Sequence, residues 1–364
     1  MKKIAIIGAN SFQNRLILKA KELGYETHVF AWECGDVGEK TADFFYPISI
    51  VEKEEILSVL KKVKPDGVCS IASDLASITV NYVADKLGLI CNPPEITLQC
   101  TNKFEMRKCF SSAHIPTPMF AKTDCINDEV KRMAYPLIVK PTDRSGSRSI
   151  TKVYNENELN DAISRAVNDS FEKKAIVEEY ISGDEYSFEA ISYKGKHHFL
   201  TITKKYTTGE PNFIETGHMQ PADLSAETTE NVKKMIFSAL DALGIQNGAS
   251  HSEFRISKNG DVRIIEIGAR MGGDCIGSDL VWLSTGYDFL KMVIDVACGL
   301  KPDFTTTKEP GKAEIQFIFE DSDLEKLNEI KKSTPERIYF ISDIEKNASV
   351  IDSSSRWGYY ILVD

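Results

Sequence analysis

Over roughly the first ninety residues, short apolar runs alternate with stretches in helical phase. Residues 3–7 form an apolar run of strand length, Leu16, Ala20 and Leu23 recur at helical spacing up to Gly24, and residues 27–31 are strand-like again. Ile56, Leu60 and Val63 then share one helix face, followed by a strand at 67–71, a helix carrying Ile78, Val83 and Leu87, and a closing strand at 89–91 before Asn92-Pro93-Pro94. Alternation of this kind predicts an open parallel α/β sheet.

The order then changes. A polar helical stretch at 95–113 runs into Ile115-Pro116-Thr117-Pro118, whose prolines make a rigid connector. Strands are expected at 136–140, 150–153 and 175–180, with Leu159, Ala162, Ile163 and Ala166 on one helical face between them. Residues 187–193 and 197–203 form a hairpin across Lys194-Gly195. A long amphipathic helix follows at 231–243, then two strands, then a helix bearing Leu290, Val293, Ile294 and Ala297 that Gly299 stops. The last sixty or so residues alternate in β fashion at 313–319, 337–342 and 359–363. The pattern divides the chain into an N-terminal α/β domain (1–94), a linker helix with a small lobe (95–185), a large lobe (186–304) and a small β-rich C-terminal subdomain (305–364).

Composition narrows the function. The chain has 364 residues, 42% hydrophobic and 27% charged, which suits a soluble globular protein of two to three cores, and its net charge of -10 disfavours a general grip on nucleic acid or an anionic membrane. Met1-Lys2-Lys3 and the apolar residues 4–7 start like a secretory leader, but Gly8-Ala9-Asn10-Ser11 interrupts the run. The eight cysteines are scattered without a C-x-x-C pair, so a reducing cytoplasm is expected, with neither a zinc site nor a disulfide framework.

Candidate chemistry lies where the elements end. Gly8-Ala9-Asn10-Ser11-Phe12-Gln13 keeps only the first glycine of a dinucleotide fingerprint and reads as a tight turn, which disfavours a nicotinamide cofactor. Gly35-Asp36-Val37-Gly38-Glu39-Lys40-Thr41 has the wrong glycine spacing for a P-loop. Lys140 closes an apolar strand, where an ammonium needs a partner or a route to solvent. The loop Asp143-Arg144-Ser145-Gly146-Ser147-Arg148-Ser149 either curls its N–H groups around an anion or is an ordinary hairpin with snorkelling basic side chains. The segment from Glu178 through Glu179, Tyr180 and Ile181 to Glu185 either offers backbone groups to an adenine edge and an acid to ribose hydroxyls, or is a solvated strand exit.

The strongest pattern is the hairpin around Asn259-Gly260. A two-residue type I′ turn there places Glu253 directly opposite Glu266, with Phe254, Ile256, Ile265 and Ile267 on the other face. Facing like charges destabilise a ladder, so the pair implies a shared proton, a divalent cation such as magnesium or manganese, or neutralisation by Arg255 or Arg263. The following turn, Gly268-Ala269-Arg270-Met271-Gly272-Gly273-Asp274, projects Arg270 towards the carboxylates, either to stabilise charge on a transferring phosphoryl group or only to pair with them. His251 shares the face of Glu253.

Lys103, Lys140, the 145–149 loop, Glu178 to Glu185, Glu253 and Glu266 occur in an order that resembles the ATP-grasp superfamily over nearly the whole chain. The resemblance implies an N-terminal open parallel α/β sheet, a two-lobed α+β ATP-grasp fold and the small C-terminal subdomain. It implies that Lys103 and Lys140 bind ATP phosphates under a loop formed by Ser145, Gly146, Ser147 and Ser149. Glu178 and the backbone of Glu179, Tyr180 and Ile181 would hold adenine, Glu185 ribose, and Glu253 and Glu266 magnesium or manganese. The family usually carries asparagine two residues after the second metal-binding glutamate; Gly268 stands there instead, so a water or phosphate oxygen would fill that position. The run from Ile265 to Asp274 looks most like the branch of amino-acid ligases, phosphoribosylamine-glycine-ligase-like and carbamoyl-phosphate-synthase-like enzymes. The implied activity is an ADP-forming carboxylate-amine or carboxylate-thiol ligase working through an acyl phosphate, with Arg270 and Lys140 catalytic. Glu215, His218, His251, Arg270 and Asp274 are the candidate substrate contacts, and a homodimer through the N-terminal sheet is expected. The alternatives are a non-catalytic ATP-binding regulatory module and a Rossmann oxidoreductase.

Overall fold

The computed structural model describes residues 2–146, 148–210 and 213–364. Strands β1 (Lys3–Ile7), β2 (Glu26–Phe30), β3 (Phe44–Tyr46) and β4 (Gly67–Cys69) form a parallel sheet in the order β3-β2-β1-β4. Successive side chains of β1 point to opposite faces. Ala5 and Ile7 pack with Ile56, Leu60 and Val83 beneath one layer of helices, whereas Ile4 and Ile6 share a core with Leu16, Ile17 and the large-lobe residues Phe289 and Ile294. The N-terminal domain is thus joined to the large lobe by continuous apolar packing. The expected strand at 89–91 does not form. Gly88 caps the preceding helix, and the chain is tied elsewhere: Asn92 Oδ1 accepts from the N–H groups of Gln246 and Asn247, both at 2.9 Å.

The second sheet contains β5 (Phe120–Thr123), β6 (Leu137–Pro141), β7 (Thr151–Val153) and β8 (Ala175–Glu179), antiparallel in the order β5-β8-β6-β7. Leu137, Val139 and Val177 pack under Leu159, Ala162, Ile163 and Ala166 of the helix Glu156–Asp169. The period-two alternation therefore delivers Ile138, Lys140 and Glu178 to the opposite face.

The third sheet gathers β9 (Asp184–Tyr193), β10 (Lys196–Thr207), β11 (Glu215–Gln220), β12 (Gly248–Ile256), β13 (Val262–Gly268), β14 (Ala313–Ile318), β15 (Ile338–Ile341) and β16 (Gly358–Val363) in the order β13-β12-β9-β10-β11-β14-β16-β15. The C-terminal strands extend this sheet through β11 and β14 and form no sheet of their own. The expected β alternation there also missed the helix Asp321–Ser333, where Leu327 alone is buried and the helical pattern is correspondingly faint. Among the described residues no helix is long and apolar enough to cross a membrane, and the eight cysteines are free.

The β12–β13 hairpin corrects the expected turn. Ser257 donates to the Asp261 carbonyl at 2.9 Å, and Gly260 alone takes a left-handed conformation, at φ +85°, so the loop has three residues and not two. That shifts the register by one, pairing Phe254 with Ile264 and Arg255 with Arg263. A bulge then inserts Ile265 and shifts it back, so Glu253 still faces Glu266 while Ile265 turns towards the cleft and Ile264 takes its place in the core.

Gly183 connects the small lobe to β9 at φ +127°, where a Cβ would collide with the Ile256 carbonyl oxygen. Gly183→Ala should cost more than about 1 kcal/mol, because the left-handed strain and the backbone clash act together. Urea unfolding checks this by a lower midpoint at unchanged slope.

Candidate active site

The second and third sheets face each other across a cavity of about 330 Å³, closed at its sides by Asp74 of the N-terminal domain and Ser353 of the C-terminal segment. Pro118, Ile138, Ile150, Ile181 and Ile265 are among the apolar residues that line the cavity, beside the chain leaving β8. There the N–H of Tyr180 is bonded to Pro136 and the Ile181 carbonyl accepts from Arg255 at 3.0 Å. The Tyr180 carbonyl and the Ile181 N–H have no partner among the described residues, which leaves one acceptor and one donor beside these apolar lining residues.

The same cavity carries concentrated charge. Glu253 and Glu266 face each other as a ladder pair, yet neither Arg255 nor Arg263 neutralises them. Lys205 Nζ lies 2.5 Å from Glu253 Oε1, and Lys103 Nζ lies 3.0 Å from Glu266 Oε1. Lys205 also approaches Glu185 at 3.2 Å and Glu215 at 3.8 Å. Burial alone would push the Glu253 carboxyl up, but Lys205 and His251 outweigh it and hold the group well below the usual carboxylate range. Burial likewise opposes the charge on Lys205, and the carboxylates around it prevail, raising its pKa well above the ordinary lysine value. His251 is held between Glu189, 2.6 Å from Nδ1, and Glu253, 3.4 Å from Nε2; against the desolvation of burial these carboxylates lift its pKa to about 9. A Cβ on Gly272 would lie 2.7 Å from His251 Nδ1, so this packing requires glycine.

Each facing glutamate keeps its second oxygen, Oε2, free of protein partners among the described residues. No group of three or more metal-binding side chains gathers among the described residues. Two carboxylates with free oxygens fit magnesium or manganese, which commonly take one or two protein carboxylates and complete their shell with waters and phosphates.

Lys140 and Glu178 form a buried unit. Lys140 Nζ lies 2.7 Å from Glu178 Oε2, and Arg107 Nε lies 2.6 Å from Oε1 as a charge contact not aligned for a hydrogen bond. Desolvation would raise the Glu178 pKa, but Arg107 and Lys140 hold it below the ordinary value, while burial pulls Lys140 below its own despite Glu178. Both Glu178 oxygens are therefore engaged, which departs from the expected adenine contact and leaves Glu178 to fix Lys140.

The remaining expected residues separate. Ser145, Gly146, Glu179 and Tyr180 line the cavity; Ser149 does not, because its hydroxyl donates to Asp169; Ser147 lies outside the described residues. Glu185 is held by Arg255 at 2.7 Å and by Lys205. Glu215, His218 and Asp274 line the cavity as well. His218 is buried with neither ring nitrogen hydrogen-bonded, and Asp274 Oδ2 is 3.6 Å from its Nε2. Burial acts against ionisation of Asp274, but Arg356, at 2.7 and 3.0 Å, and His218 depress its pKa strongly. Arg270 reaches Asp74 at 2.8 Å and not Glu253 or Glu266.

Lys205, Arg107, Asp74 and Arg356 do not figure in the expectations from sequence, and Arg255 figures there only as a neutraliser of the facing glutamates, whereas it pairs with Glu185. Lys205 had a signal, since Thr201, Thr203 and Lys205 repeat polar residues at period two along β10, and all three are buried. Arg356 had none, because only the sheet order brings it near Asp274.

Two β sheets thus flank one cleft that carries paired carboxylates, buried lysines and apolar lining residues. Residues 133–279 match the family model described as ATP-grasp domain. That segment, from the small lobe through the β12–β13 hairpin and the turn after it, is similar to the ATP-grasp domain. Alanine–anticapsin ligase of Bacillus subtilis (strain 168) is 26% identical over 316 residues, covering 76% of this chain and 66% of that protein. Carnosine synthase 1 of Mus musculus is 22% identical over 334 residues, covering 83% of this chain and 40% of that protein. The chain thus spans less than two thirds of the length of these curated relatives. Among solved structures, the L-amino acid ligase from Bacillus licheniformis superposes with a TM-score of 0.83 at 26% identity, covering 100% of this chain and 93% of that one. Phosphoribosylglycinamide synthetase from Anaerococcus prevotii shares the fold at a TM-score of 0.79 and 23% identity, covering 100% and 94%.

Glu178 has a depressed folded pKa, so its contribution to stability is present above the unfolded carboxylate value, about 4.3, and is lost as pH falls through the lower folded value. Glu178→Gln should destabilise the protein by about 3–5 kcal/mol at pH 7, by leaving Lys140 and Arg107 buried without a counter-ion. Urea midpoints taken from pH 7 downwards should show the gap to wild type narrowing below about pH 4.

Proposed function

We propose that the protein is an ATP-dependent, ADP-forming ligase that joins a small carboxylate, such as an amino acid, to an amine or thiol through an acyl phosphate, in the cytoplasm. The observation that carries this reading is the convergence of Glu253, Glu266, Lys103, Lys140 and Arg270 on one cleft that is also lined by apolar residues such as Ile138, Ile150 and Ile181. The relatives support the same chemistry: those matched are ligases or synthases by name, several of them acting on amino acids.

The apolar lining and the free Tyr180 and Ile181 backbone groups would receive adenine, and Glu185 the ribose. Lys103 and Lys140 would lie along the phosphates beneath Ser145 and Gly146. Glu253 and Glu266 would hold a divalent cation, which when bound neutralises phosphate charge and aligns the terminal phosphoryl group. The substrate carboxylate attacks the γ-phosphorus, ADP departs with the electron pair of the broken P–O bond, and Arg270 stabilises the charge spread over the transferring oxygens. The amine or thiol then adds to the acyl carbon, inorganic phosphate leaves with the C–O electrons, and the nucleophile's proton passes to a base or to solvent. Glu215, His218, His251 and Asp274 surround the end of the cleft where the acid and the nucleophile would meet, with the unpartnered nitrogens of His218 as open contacts. A homodimer through the N-terminal sheet belongs to this reading.

Release of ADP and phosphate across a panel of amino acids and other carboxylates, with and without magnesium, tests it. Glu253→Gln and Glu266→Gln should each lower turnover by at least about a hundredfold while unfolding remains cooperative. Lys140→Ala should weaken ATP affinity by about 10- to 100-fold in calorimetry, since it removes a charged hydrogen-bond donor. Full activity in both glutamine variants, or unchanged affinity in Lys140→Ala, would refute these assignments.

A further inference from the structure

We infer that Asp74, on the N-terminal domain, is a positioning residue for Arg270: it grips one edge of the guanidinium so that the remaining N–H bonds are presented to the cleft. The inference rests on the role given to Arg270 above.

In an open α/β sheet, the crevice at the carboxyl ends of the strands where strand order reverses ordinarily receives a ligand. Here that crevice lies between β1 and β4, and the Gly268–Asp274 turn of the large lobe docks against it. Gln13 shapes the crevice by accepting from the Ile71 N–H at 3.2 Å. Ala72 takes a left-handed conformation, at φ +54°, and donates its N–H to the Met271 carbonyl at 3.2 Å. A non-glycine residue in that region costs energy, and the strain here delivers the next two residues. Ser73 caps the helix Asp74–Leu87 by accepting from the Ala76 N–H at 3.2 Å, which makes Asp74 the first helical residue. Its carboxylate accepts from Arg270 Nε at 2.8 Å and Nη2 at 3.3 Å.

The geometry leaves a defined remainder. Arg270 also donates Nη1 to the Met271 carbonyl at 3.3 Å, so three of its five N–H bonds are spent, and two have no partner among the described residues. Without Asp74, the acids whose fields next act on the guanidinium are Glu266 and Glu253, the proposed cation ligands, and the fork would turn onto them. Gly268 gives separate support. A Cβ there would lie 3.2 Å from Arg270 Cζ and 3.3 Å from Asp74 Oδ1, so glycine, where the family usually has asparagine, keeps room for this pair.

The test is a double-mutant cycle on the full chain with ATP and magnesium. Asp74→Ala should lower kcat by about 10- to 100-fold, with KM for ATP within about threefold. Asp74→Asn, which retains an acceptor, should fall between, and it serves as the readout if the alanine variant does not fold. In an Arg270→Ala background, Asp74→Ala should cost less than about twofold, because both changes remove the same arrangement. Additive losses, or an Asp74→Ala enzyme within twofold of wild type, would overturn the inference. Should the wild-type protein turn over no substrate, the ligase reading fails, and crystals of the Asp74 variant soaked with magnesium and ADP decide separately: a displaced Arg270 side chain supports the positioning role, and an unmoved one ends it.

Discussion

Two carboxylates held face to face across one β ladder set the terms for the rest of the molecule. Glu253 and Glu266 repel each other at the distance the ladder imposes, so the sheet is tolerable only with positive charge beside them. Lys205 and Lys103 supply it from different directions, one from β10 of the same sheet and one from the linker helix. Because each lysine takes a single oxygen, the second oxygen of each acid is left without a partner among the described residues. A pair of carboxyls sharing one proton would have solved the same repulsion but would have offered little to a cation.

The same solution recurs around the cleft, each time between segments far apart in the chain. Glu178 of the small lobe is held by Lys140 and Arg107, Glu185 by Arg255, Asp274 by Arg356 and Asp74 by Arg270. Removing one partner of such a buried pair costs far more than the intact pair contributes, so these contacts enforce one arrangement of the lobes more than they add stability. The N-terminal domain and the C-terminal segment enter the site in this way, through Asp74 and Arg356, even though neither supplies much of its surface.

The sequence disclosed local chemistry well and long-range partners poorly. The parallel sheet, the small lobe and the facing glutamates could be read because each depends on period-two or helical patterning within a few residues. The glutamate register came out right although the turn was misjudged, since a three-residue loop and the bulge at Ile265 displace it by one residue in opposite directions. Lys205 could have been found from polar residues repeating on one face of β10, whereas Arg356 could not, because no local pattern says that β16 will lie beside β14. The roles of Glu178 and Ser149 were misplaced for a related reason: Arg107 and Asp169, which engage them, are distant in sequence or on a separate element.

Charge balance links the resting site to the ligand it can accept. The described residues lining the cleft include eight acidic and seven basic side chains, so it is nearly neutral although the whole chain carries -10. A triphosphate entering alone would bring several uncompensated negative charges into a partly desolvated site, where such an excess is costly. Lys103 and Lys140, the basic groups proposed to bind the phosphates, are already committed to Glu266 and Glu178, and drawing Lys103 away would leave Glu266 without its counter-ion. On the proposed reading, Glu253 and Glu266 would hold a divalent cation through their free oxygens, its charge would offset that of the phosphates, and Lys103 and Lys140 would be released to contact them. The near-neutral lining would thus favour the proposed nucleotide together with its cation over either one alone, and it follows from the ladder pair with which the electrostatic problem began.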